Sequence, residues 1–131
     1  MNNTRPKLIS NTQIYLDCYR LLNIILDITP DFPRAYKFSI GSKMQDIGIE
    51  LIAEISAAYI NRDRETRIQH LAAFQSRFET LKTIMRLAGE RKWIPGLHRY
   101  AGIIELMDAI GKQSTAWKKS LSKIGEETDS D

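Results

Sequence analysis

At 131 residues the chain makes one domain, large enough to bury a core without disulfides or metal, and its single cysteine, Cys18, excludes an internal disulfide. No apolar run approaches the roughly 20 residues that span a bilayer and no apolar signal segment opens the chain, so a cytoplasmic, non-membrane protein is expected. The formal charge of +3 hides an asymmetry: Glu126, Glu127, Asp129 and Asp131 crowd the last six residues, leaving residues 1–125 with 19 basic against 12 acidic side chains, a net of +7. That excess suits a polyanionic or acidic partner, or simply a solvated surface.

Residues 1–11 are polar and are expected to be flexible. From Thr12 to Ile28, apolar side chains at Ile14, Cys18, Leu21, Ile25 and Ile28 recur in steps of four and three, and Tyr15, Tyr19, Leu22 and Leu26 make a second stripe beside them. So wide an apolar face predicts a helix with two neighbours. Thr29-Pro30 and Phe32-Pro33 stop it, because proline disfavours helix in the residue before it. A second helix is predicted from about Ile40 to Ile60, with Ile40, Met44, Ile47, Leu51, Ile55 and Ala58 along its buried side and Ser39 as its N-cap. A third runs from Arg64 to Glu90, capped by Asp63, with Leu71, Phe74, Phe78, Leu81, Met85 and Ala88 inward. The link Asn61-Arg62-Asp63 is so short that these two helices are expected to lie antiparallel. The fourth extends from Pro95 to Lys123, with Ile103, Met107, Ile110, Ser114, Trp117 and Leu121 in its seam and Ser114 as a polar break. Residues 124–131 read as an acidic, disordered tail. No strand pattern or repeat is present, so the fold class is all-α, an antiparallel up-and-down four-helix bundle over residues 12–123.

The residues offer little for catalysis. A di-iron bundle needs inward Glu-x-x-His pairs, but Arg67 stands three before His70 and Pro95 three before His98. No phosphate-cradling P-loop, Gly-x-Ser-x-Gly or His-Glu-x-x-His occurs. Cys18 falls on an apolar face as a small core residue, and His70 and His98 are isolated surface positions. No enzyme activity, cofactor or metal is expected. Trp93, Tyr100 and Trp117 read as core or subunit packing ahead of base stacking.

Basic residues are more telling. Arg34, Lys37 and Lys43 bracket the start of the second helix, while Arg62, Arg64 and Arg67 cluster at the following turn. Lys82 and Arg86 are four apart on the flank of the third helix shared with Gln75, and Arg91 and Lys92 close that helix. Antiparallel packing would bring Arg34, Lys37, Lys43, Arg86, Arg91 and Lys92 to one end of the bundle, where they would attract phosphates without reading sequence. Against that stand local pairs, with Glu79 near Lys82 and Glu90 beside Arg91. Ser39-Ile-Gly41 reads either as an anion site at a helix start or as a cap with a glycine that permits close helix contact.

The stretch Phe32-Pro-Arg-Ala-Tyr-Lys-Phe-Ser-Ile-Gly-Ser-Lys-Met44 resembles the loop and second-helix start of the accessory variability determinant (Avd) family of diversity-generating retroelements. Ile110-Gly-Lys-Gln-Ser-Thr-Ala-Trp-Lys-Lys119 is similar to that family's last helix, with its late glycine and tryptophan, and the order of elements agrees over about residues 12–121. The same group includes proteins encoded in 23S rRNA intervening sequences, which share the Phe-Pro start. Ala116 departs from the glycine more usual before that tryptophan, a difference that bears on helix packing near Trp117. The resemblance implies a non-catalytic protomer that forms a ring-like homopentamer and binds the retroelement reverse transcriptase together with RNA or cDNA, supporting mutagenic reverse transcription and retrohoming. The residues that would carry binding are Arg34, Lys37, Lys43, Lys82, Arg86, Arg91 and Lys92. A helical adaptor for an acidic protein, or an intervening-sequence bundle without a polymerase partner, remain the alternatives.

Overall fold

A computed structural model describes the backbone of residues 12–129 and the side chains of residues 12–123. The expected loose N-terminal segment lies outside the described residues. Four long helices account for nearly all of the rest: α1 (Gln13–Ile28), α2 (Ser42–Ile60), α3 (Arg64–Glu90) and α4 (Leu97–Asp129). No strand occurs among the described residues. The main packing follows chain order, α1 on α2, α2 on α3 and α3 on α4, and α4 closes the ring against α1.

Most of the core consists of apolar positions that the helical spacing singles out; Phe32, Trp93, Ile94 and Leu106 join it from outside the expected stripes, while Ile40 and Trp117 are only partly buried. Ile25, Met44, Ile55, Ala58, Leu71, Phe74, Leu81, Met85, Ala88 and Ile110 are completely buried. Inter-helix pairs run in opposite order along neighbouring helices. Arg67 donates from Nε to the Ala58 carbonyl at 2.9 Å, and Arg77 meets Glu50 at 3.1 Å halfway along the same seam. Between them His70 Nδ1 lies 3.5 Å from Glu54, whose buried Oε2 has no hydrogen-bond partner among the described residues. Across α1 and α4, Asp17 is buried but satisfied, accepting from Gln13 at 2.8 Å and from Gln113 at 2.7 Å. Ser114, the polar break in the α4 seam, is buried and donates to the Gly111 carbonyl at 3.0 Å. Cys18 is a core residue, 2% exposed, and burial, reinforced by the charge of Asp17, pushes its thiol up to about 12.

Helix ends follow local chemistry. Asp63 caps α3: its Oδ2 accepts from the Thr66 amide at 3.0 Å and from the Thr66 hydroxyl at 2.6 Å. At the other end of α3, Lys92 takes φ 61, its amide reaches the Gly89 carbonyl at 3.1 Å and the Trp93 amide reaches Ala88 at 2.9 Å. This is a Schellman closure, with lysine where glycine is usual. Gly96, at φ 93, then turns the chain into α4.

Two boundaries differ from expectation. Ser39 is not the cap of the second helix. Helical backbone already begins at Arg34 behind Pro33, runs through Tyr36, and continues as a wide π turn over Lys37–Gly41 into α2. The Ser39 hydroxyl instead donates back to the Tyr36 carbonyl at 3.3 Å. Gly41 lies inside this helical run, where an added Cβ would make ordinary contacts with Thr29 and Phe32, at 3.5 and 3.7 Å. The anion-site reading of Ser39-Ile-Gly41 therefore loses the free helix start it needed. At the far end, α4 starts at Leu97, after Pro95, and its backbone stays helical to Asp129, beyond Lys123 where the apolar seam stops.

Candidate nucleic-acid interface

The α1–α2 connection and the α3–α4 link meet at one end of the bundle, and aromatic rings join them. Phe32 is buried and packs on Trp93 with ring centroids 5.0 Å apart at a 48° tilt. Tyr36 stacks on Trp93 at 5.2 Å and 24°. The Arg91 guanidinium covers both rings, 5.5 Å from the Tyr36 centroid and 5.6 Å from that of Trp93. Rooted in the core through Phe32, this column holds Arg91 in place by cation–π attraction while leaving its residue exposed.

Around that column the expected cations collect, though not all of them equally. Arg34, Lys43 and Lys92 are exposed, and Lys37 is half-buried with its ammonium 5.6 Å from the ring of Phe38. With Arg91, these five make no ion pair with any described residue. Arg86 is exposed too, but it pairs with Glu90 at 3.6 Å, so Glu90 serves Arg86 and not Arg91 as its place in the sequence suggests. Lys82 stands apart. It pairs with Glu79 at 2.8 Å, lies 5.5 Å from the Phe78 ring, and lines an open groove of about 1340 Å³ between α3 and α4. Three further lysines in that groove, Lys112, Lys118 and Lys119, are interspersed with Glu79, Glu105 and Asp108, so the groove has no single sign.

Arg62, Arg64 and Arg67 occupy the opposite end. Arg64 pairs with Glu65 at 2.9 Å, while Arg67 is spent on the Ala58 carbonyl and on the Trp117 ring, 5.8 Å away. Trp117 and Arg67 line a smaller cavity of about 290 Å³ with Tyr59 and Gln113. Trp93 proves to be core and Trp117 partly so, as expected. The sequence reasoning passed over Tyr36 and Phe38. The signal was the alternation Arg34-Ala-Tyr36-Lys37-Phe38, where aromatic and basic residues trade places without a core period. Among the described residues, no group of three or more His, Cys, Asp or Glu is placed to hold a metal ion, and no helix is long and apolar enough to cross a membrane.

Unpaired cations held beside exposed aromatic rings can take phosphates by charge and bases by stacking. No curated protein matches the chain. A family described as bAvd-like matches residues 8–121, most of the helical body, and the chain belongs to that bAvd-like family.

Proposed function

We propose that this protein is a non-enzymatic accessory protein of a diversity-generating retroelement. Acting in the cytoplasm, it binds the reverse transcriptase and template RNA or cDNA and supports mutagenic reverse transcription and retrohoming. The observation that carries the reading is the family match over residues 8–121. The protomer is an antiparallel up-and-down bundle, supported by the reversed order of the pairs between α2 and α3. Five such protomers form a ring. The exposed side chains of Leu16, Tyr19 and Leu26 on α1 give that assembly an apolar face to use.

Nucleic acid is held by its phosphates. Arg34, Lys37, Lys43, Arg91 and Lys92 contribute most, because no described carboxylate competes for them. Lys82 and Arg86 contribute less, because each must first leave a carboxylate on its own helix. Co-purification of tagged protein with the retroelement reverse transcriptase, followed by RNA binding across a salt series, tests the reading. A stable complex and a steep loss of affinity with salt are expected. Alanine at Lys82 and Arg86 weakens binding less than alanine at Arg91 and Lys92. A protein that captures neither the polymerase nor RNA is not this accessory protein, and an acidic protein partner then becomes the reading to pursue.

A further inference from the structure

Phe38 has no role in holding the fold together. It is 75% exposed, the most exposed aromatic among the described residues, on the outside of the wide turn Lys37–Gly41. Its ring lies 5.6 Å from the Lys37 ammonium, with Arg34 one turn before it and Lys43 one turn after it in the chain. Tyr36 is different: stacked on Trp93 beneath Arg91, it makes a fixed wall and not a free platform.

We propose that this end of the bundle prefers single-stranded nucleic acid, with Phe38 stacking on an unpaired base while the surrounding cations hold the flanking phosphates. The proposal rests on the nucleic-acid reading above and adds a strand preference to it. A duplex buries the faces of its bases, so a surface phenylalanine stacks without the cost of prising base pairs apart only where strands are open. A protein partner that took Phe38 as an apolar anchor would need continuous apolar surface around it. Along the chain Phe38 stands between Lys37 and Ser39, and the nearest aliphatic side chain in sequence, Ile40, is packed against the core, while the exposed Leu97 belongs to the start of α4. A free ring among cations matches the alternation of base and phosphate along a single strand.

The test measures binding of the full chain to mixed-sequence single-stranded RNA and DNA, and to duplexes of the same length, at several salt concentrations. Phe38→Ala is expected to weaken single-strand binding roughly tenfold and leave duplex binding within about twofold. The salt slope stays the same, because the ring displaces no counterions. Phe38→Trp restores affinity. Alanine at Lys37 and Lys92 together weakens both kinds of binding and flattens the single-strand slope by about 0.7 per charge removed. Helicity is unchanged throughout, since Phe38 contributes nothing to the core. Equal effects of Phe38→Ala on single strands and duplexes, or no effect on either, overturn the proposal while leaving the phosphate reading intact. A fall in native mass, or loss of reverse-transcriptase binding with nucleic-acid affinity unchanged, also overturns it and makes Phe38 a protein contact. A native protein that binds no nucleic acid removes both readings.

Discussion

At Lys92 the backbone takes a left-handed conformation so that two amides can close the end of α3. A Cβ makes that conformation costly, and glycine removes the cost. Lys92→Gly is therefore expected to stabilise the protein by a few tenths to about 1 kcal/mol in urea unfolding, while lowering nucleic-acid affinity by the loss of one cation. A change that weakened both would show that the lysine side chain makes contacts of its own. Asp63 is the second residue with a definite local job. Hydrogen bonds from the Thr66 hydroxyl and amide hold its carboxyl below the ordinary 3.8. Its folded-state value is depressed, so its contribution is complete above 3.8 and fades as pH falls through the lower folded value. Asp63→Ala lowers the thermal midpoint at neutral pH, and the gap to the native protein narrows on acidification; a gap independent of pH would mean that charge plays no part in the cap.

Among the elements, the contact between α3 and α4 turns on Gly89. A Cβ there would fall 2.3 Å from Cζ of Tyr100, in the first turn of α4. Alanine is the better helix former by about 1 kcal/mol, yet Gly89→Ala is expected to destabilise by about 1–3 kcal/mol, because Tyr100 must be pushed aside. In a Tyr100→Ala background the same substitution should become favourable, and a double-mutant cycle read by denaturation checks the reversal. Neither partner carries this information in its own neighbourhood of sequence, so the pairing could not be read in advance. By contrast, the bounds of α3 were legible because the signals are local: Asp63 before the first turn and an unbroken stripe from Leu71 to Ala88. The start of the second helix was misread for an equally local reason. Ser39 has the chemistry of a cap, but Pro33 had already set the helical direction six residues earlier, and the wide turn carried it through. The gathering of Arg34, Lys37, Lys43, Arg91 and Lys92 at one end followed from short links and packing order. The seating of Arg91 over two stacked rings did not, since it depends on how two loops approach one another.

For the whole molecule, the pattern of α1 divides into a face the bundle uses and a face it leaves over. Tyr15 and Leu22 are half-buried, while Leu16, Tyr19 and Leu26 remain exposed. If the proposed ring of five forms and uses that face, Tyr19→Glu with Leu26→Glu will reduce the native mass from five times 15.1 kDa toward one chain without loss of helicity; a native mass of five chains that the substitutions leave unchanged places the subunit contact elsewhere. The same helix carries Cys18 on its inward side, and that placement makes the protein its own stopwatch. A thiol that is buried and hard to ionise reacts with a disulfide reagent only while the bundle stands open. The rate of labelling should therefore report how often the four helices part. It should rise with denaturant, slow in Lys92→Gly and quicken in Gly89→Ala. A rate indifferent to all three would mean that the thiol is reached by a local breath of α1 alone. With one cysteine in the chain, the readout needs no engineering, and a second thiol placed at an exposed position could be labelled first in native protein while Cys18 waits.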